Sequence, residues 1–208
     1  MRTRIYVDGY NLYYGCLRRS PYKWLDLVAL SRNLLPRNTV QAVRYFTARV
    51  TPRPKDPGQS IRQQMYLRAL QTRPEVTVHF GHFLSHEVSM PDAAAWRAGR
   101  HIPVQVIKTE EKGSDVNLAT HLLTDAFENL FDVAVLITND SDLVEPIRVV
   151  RQRLGRTVGI LNPHPRPSRT LLQNADFVKP IRPGALANAQ FPNQLEDAVG
   201  VFRKPHRW

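Results

Sequence analysis

Cysteine is nearly absent: Cys16 stands alone among 208 residues. A single thiol excludes an intrachain disulfide and a cysteine-based zinc site, and Cys16 reads as a small buried residue. Long apolar runs are missing as well. No stretch approaches the roughly 20 apolar residues that a membrane helix requires, so no membrane partner is expected. The opening residues Met1-Arg-Thr-Arg-Ile-Tyr-Val-Asp8 start a strand-like run at once. They lack the apolar segment of a secretory signal, and the expected location is cytoplasmic. Internal repeats and low-complexity tracts are also lacking, which excludes solenoids and arrays. Acids are scarce relative to bases, with 18 Asp+Glu against 29 Lys+Arg and a net charge of +11.

Apolar residues make up 42% of the chain, enough to build a buried core. The length suits one domain with modest insertions. Residues 1–183 are read as that domain. Residues 184–208 are read as a C-terminal tail that docks on it through Phe202 and Trp208. The positive charge calls for an anionic partner, nucleic acid first. It is also compatible with a compositional habit, since 23 of the 29 bases are Arg. Residues 148–208 hold 11 basic and 3 acidic side chains.

Strand and helix patterns alternate. Arg4–Val7, Val40–Ala48, Val76–Leu84, Ile102–Ile107, Asp132–Thr138 and Thr157–Leu161 read as strands, the last being the final clear one. Tyr10–Leu17, Asp26–Leu35, Gln59–Gln71, Ser114–Leu130 and Ser141–Leu154 read as helices. Thr51–Gly58 is a proline-rich loop, and Ser85–Arg100 a polar excursion with a helical turn. This alternation predicts βαβ units around a mostly parallel sheet.

Four aspartates stand out by position. Asp8 follows the first strand, Asp115 opens the long helix after the fourth, and Asp140 and Asp142 follow the most apolar strand. In a parallel sheet such junctions share the carboxyl edge, where ligands of open α/β sheets bind. Each acid also has a plainer reading. Asp8-Gly9 suits a turn, and Asp115 suits a helix dipole. Asp142-Leu-Val-Glu145 before Pro146 is a capping box. Converging carboxylates repel, by about 4 kcal/mol for a pair 4 Å apart at an effective dielectric of 20, so a cation is expected among them. All-oxygen ligands point to Mg²⁺ or Mn²⁺.

The segments Asp8-Gly-Tyr-Asn11, Glu111-Lys-Gly-Ser-Asp115-Val-Asn-Leu-Ala and Thr138-Asn-Asp140-Ser-Asp142-Leu resemble the three acidic motifs of NYN-domain proteins. They are similar to the LabA-like branch of the PIN-like nuclease superfamily, in order and spacing, across residues 4–180. Leu172-Gln-Asn-Ala-Asp176-Phe resembles the closing segment. The resemblance implies a PIN-like three-layer α/β/α fold and Mg²⁺- or Mn²⁺-dependent cleavage of RNA. It makes Asp8, Asp115, Asp140 and Asp142 the catalytic metal-site acids and Asn11 a positioning residue. Thr138-Asn139 departs from the Ser-Gly of many relatives.

Lys112 and Arg169 are candidate phosphate contacts. Arg44, Arg49, Arg53, Arg62 and Arg166 offer an RNA track or merely a solubilising surface. Tyr10 and Tyr13 flank Asn11 and suit either base stacking or packing. His79, His82 and His86 read as ordinary histidines, because positions three apart on a strand face opposite ways. Two other functions stay in view: a non-cutting RNA-binding or adaptor module, and a small-molecule phosphohydrolase suggested by Asp140-Ser-Asp142. A homo-oligomer is compatible with the sequence.

Overall fold

The first strand, β1 (Arg2–Asp8), has Ile5, Tyr6 and Val7 wholly buried, as a strand covered on both faces must. In this computed structural model, which describes residues 1–52, 54, 56–206 and 208, β1 lies in the middle of the sheet. The chain turns at once into α1 (Gly9–Leu12), which runs on as a π-helical turn over Tyr13–Leu17. Then come α2 (Leu27–Leu34), β2 (Thr39–Ala48) and α3 (Gln59–Gln71). A long strand β3 (Val76–Pro91), a short helix α4 (Ala93–Arg97) and β4 (Pro103–Lys112) follow. The second half holds α5 (Ser114–Phe127), β5 (Val133–Ile137), α6 (Val144–Arg148), β6 (Thr157–Asn162), α7 (Arg169–Asn174) and β7 (Phe177–Pro180). The chain closes with α8 (Pro183–Ala187) and the hairpin β8 (Gln194–Asp197) and β9 (Gly200–Arg203).

Seven strands make the central sheet in the order β4-β3-β2-β1-β5-β6-β7, and only β4 runs antiparallel to its neighbour. Alternate residues of each strand feed two cores. Ile5, Val7, Val43, Val135 and Ile137 face α2, α3 and the C-terminal segment. Tyr6, Phe46, Ala134, Leu136 and Ile160 face α5 and α6. The result is three layers, helix–sheet–helix, as expected for a PIN-like architecture.

Four details differ from the sequence reading. Ser85–Arg100 is not mainly loop: Ser85–Pro91 continues β3, and its ladder with β4 runs from His82↔Lys112 to Pro91↔Pro103. Polar His86, Glu87 and Ser89 disguise a strand that stands clear of the core. The fourth strand is antiparallel, which the assumption of uniform βαβ units missed. Thr157–Leu161 is not the last strand, because β7 follows it. With four residues and a terminal Pro180, β7 is an edge strand of the kind that tolerates proline. The helix expected over 141–154 is broken into a 3₁₀ turn, α6 and a π-helical turn.

Beyond residue 183, Phe191 and Phe202 are buried, and their rings meet Trp24 edge-on at 6.0 and 6.5 Å. The Trp24 indole N–H donates to the Pro192 carbonyl at 2.8 Å. Arg68 holds Asp197 through two 2.7 Å hydrogen bonds. No helix among the described residues is long and apolar enough to cross a membrane.

Candidate metal centre

Three acids meet at the carboxyl edge of the sheet. Oxygens of Asp8, Asp115 and Asp140 all lie within 4.8 Å of one another. Asp8 ends β1 and is only 6% exposed. One oxygen accepts from the Asn11 amide at 2.9 Å, capping α1, and the other accepts from the Thr138 hydroxyl at 3.2 Å. Gly9 is required beside it. A Cβ there would sit 2.7 Å from both the Phe46 carbonyl and the Tyr45 hydroxyl.

Asp140 arrives from β5, the neighbour of β1. Its amide donates to the Thr138 hydroxyl at 3.1 Å, and its carboxylate accepts from the Asp142 amide at 3.0 Å. Thr138 thus ties two of the acids together from a fully buried position. Asn11 Oδ1 accepts from the Asn139 amide at 2.9 Å. Asn139 Oδ1 in turn accepts from the Ser168 amide at 2.7 Å, fixing the loop before α7. Thr138 and Asn139 are positioning residues, a role the sequence reading did not give them. The available signal was their place at the end of the most apolar strand.

Asp115 comes by another route. The upper half of β3 and all of β4 form a two-stranded arm past the end of β2, and β4 returns to the sheet edge opposite His82. Glu111 then accepts from the Ser114 amide and hydroxyl at 3.2 and 2.7 Å, fixing the start of α5. Gly81 makes room for this joint. A Cβ on it would lie 2.3 Å from the Glu111 carboxylate and 2.4 Å from the Lys112 carbonyl.

The remaining candidates are not among these three. Asp142 is exposed on the 3₁₀ turn. The capping expected of Asp142 belongs to Asp140, and α6 begins at Val144 after Leu143, which makes no side-chain cap. Lys112 is exposed, with its ammonium 3.3 Å from Glu110. Arg169 is exposed at the start of α7. Arg44 is removed from any RNA track, because its guanidinium and that of Arg4 grip buried Asp125 at 2.8 and 2.9 Å. Arg62 pairs with Asp56. Arg53 lies outside the described residues. His79 stacks on Phe46 at 4.9 Å and packs against His121 at 4.1 Å, a packing role.

The electrostatics of the trio favour a cation. Burial, with Asp115 and Asp140 nearby, pushes the Asp8 carboxyl up to about 6. Burial and the carboxylates of Asp140, Glu111 and Asp142 raise Asp115. Three hard oxygen donors this close can hold one divalent ion, directly or through water. The donor set therefore fits the metal implied by the motifs.

A family model for the NYN domain matches residues 2–181. The chain belongs to the NYN domain family. That family lies within the PIN-like nuclease superfamily, so a nuclease or hydrolase activity on nucleic acid is the family's implication. The NYN chain is also 32% identical, over its whole length and 75% of the relative's, to 6-hydroxy-3-succinoylpyridine 3-monooxygenase HspA of Pseudomonas putida (strain DSM 28022 / S16). Among solved structures it resembles VPA0982 of Vibrio parahaemolyticus RIMD 2210633, a protein of unknown function. The TM-score is 0.59 at 19% identity, over 91% of this chain and 96% of that one, which bears on the fold alone.

Proposed function

We propose that this NYN protein is a ribonuclease that hydrolyses RNA phosphodiester bonds with Mg²⁺ or Mn²⁺. The observation that carries the reading is the convergence of Asp8, Asp115 and Asp140 from distant parts of the chain. These three would hold the ion, with Asp142 at the rim. When bound, the ion supplies positive charge against the phosphodiester and acidifies water.

The chain's own groups do the rest. Thr138 and the Asn11 amide fix both Asp8 oxygens, so that carboxylate cannot swing away. Asp140 is held through its amide and through the turn it caps. Lys112 and Arg169 contact backbone phosphates flanking the cut. By family resemblance, the products carry a 5′-phosphate and a 3′-hydroxyl. A binding or adaptor module would gain nothing from an acidic edge that repels phosphate. The phosphohydrolase reading is disfavoured because Asp140-Ser-Asp142 follows β5 rather than the first strand.

The test is cleavage of single-stranded RNA by purified protein with Mn²⁺. The expected loss in Asp140→Asn is about 100-fold or more, since even a residue that only supports a metal ligand costs about 10–100-fold when changed. Undiminished cleavage would remove Asp140 from the mechanism. The whole-chain likeness to a pyridine monooxygenase supports a second reading, oxygenation of a small aromatic ring. Incubation with 6-hydroxy-3-succinoylpyridine, a two-electron reductant and ¹⁸O-labelled dioxygen separates the two: label in a pyridine product, with the C3 side chain released because C3 is where the oxygen enters, would favour it.

A further inference from the structure

A second concavity opens beside the metal centre, on the other side of α1. Its volume is ≈ 320 Å³, within the usual range for small-molecule sites. Tyr10, Tyr13 and Tyr14 form one wall, and Phe83 of the arm, Trp208, Tyr45 and Tyr66 add to the aromatic lining. The Tyr10 and Tyr14 rings are nearly parallel, at 23° with centroids 6.5 Å apart. Phe83 meets Tyr10 edge-on at 5.8 Å. Tyr14 is 53% exposed, with the Arg18 guanidinium over its ring at 5.4 Å.

The cavity also has a polarity. Lys23 and Arg62 both line it, whereas Gly9 and Glu111 lie where it borders the acid cluster. Arg62 is paired with Asp56. The Lys23 ammonium donates to the Ser20 carbonyl at 2.9 Å, and the charged groups acting on it, Arg62 and Lys204, are both cations. Lys23 therefore presents positive charge that no acid among the described residues pairs with.

We infer that this cavity binds a planar aromatic ring bearing an anionic substituent, the ring against Tyr10, Tyr14 and Phe83 and the anion on Lys23. Two sources supply that chemistry: a nucleotide of a single strand, its base stacked and its phosphate on Lys23, or a free aromatic acid. The inference goes beyond the nuclease reading and stands on the cavity alone. Where a nucleotide is the ligand, its position beside the acid cluster makes it a base-binding subsite next to the cut.

The experiment is calorimetric titration of the full chain in EDTA with 5′-UMP, with uridine and with 6-hydroxynicotinate. Removing metal separates this site from phosphate held at the acid cluster. The expected result is binding of UMP or of the aromatic acid, with uridine weaker than UMP. Which of the two binds identifies the source. Lys23→Gln should weaken the anionic ligand about tenfold, the scale of a charge-assisted hydrogen bond, without affecting uridine. Tyr14→Ala, at an exposed position, should weaken the bound ligands about tenfold through lost stacking. Absence of binding by either anionic probe, or affinities unmoved in both variants, would overturn the inference. Binding in EDTA by a protein that never cleaves RNA would leave the cavity standing and sink only the nuclease reading.

Discussion

Asp8 shows the tension that one buried carboxylate creates. Its folded-state pKa, about 6, lies above the value near 4 of an unfolded aspartate. The folded chain therefore holds a proton that the unfolded chain releases in that window. The sign follows: Asp8 favours folding below about pH 4, and the benefit is lost as pH rises through 6. At pH 7 without metal the ionised carboxylate costs roughly 3 kcal/mol. Asp8→Asn should then melt several degrees above wild type at pH 7 in EDTA, with the gap closing toward pH 4 and nuclease activity abolished. Calorimetry at several pH values checks this, and an unchanged or lower melting temperature at pH 7 contradicts it. At this scale much was legible. Asp8 and Asp140 could be located because each directly follows a strong apolar strand. The roles within 138–142 were not, because a capping box and a capped 3₁₀ turn share one residue pattern. Only coordinates show that Asp140, not Asp142, accepts the amide hydrogen bond.

Among the elements, the β3–β4 arm matters most to the site, and it was the least legible. Its strands stand clear of the core, so the apolar periodicity that marks β1 or β5 is diluted by His86, Glu87 and Ser89. Convergence of Asp115 with the other acids was expected from strand-to-helix junctions sharing the carboxyl edge of a mostly parallel sheet. It is achieved instead by an antiparallel return that ends on Gly81. Gly81→Ala would push a methyl group against the Lys112 backbone. A cost of about 1–3 kcal/mol is expected, typical of overpacking. The shift should fall on Ser114 and Asp115, so Mn²⁺ affinity should drop more than global stability. Titration calorimetry beside thermal melts would show it, and full metal affinity in the variant would contradict the assignment of Gly81 to this joint.

Across the whole molecule, the three layers and the central place of β1 and β5 follow from periodicity, but the C-terminal segment does not. Phe191, Phe202 and Trp208 are spaced irregularly, and only the fold shows that all three rings gather on Trp24, which is wholly buried. Deleting residues 190–208 would uncover that indole and strip its hydrogen bond to Pro192. Burial of large side chains at about 1.5–3 kcal/mol each makes the expected loss about 4 kcal/mol or more. That is a large share of a typical domain's stability. A truncated chain that melts within two or three degrees of the full one would show the segment to be dispensable.

The acids of the metal centre are collected from residues 8, 115 and 140, and the last is carried by the strand that pairs with the first. A nascent chain leaving the ribosome exposes Asp8 early, yet the set stays incomplete until β5 has emerged and docked. Every shorter intermediate lacks the full ion-holding group. On the nuclease reading, the growing chain stays inert until its third carboxylate has joined the other two.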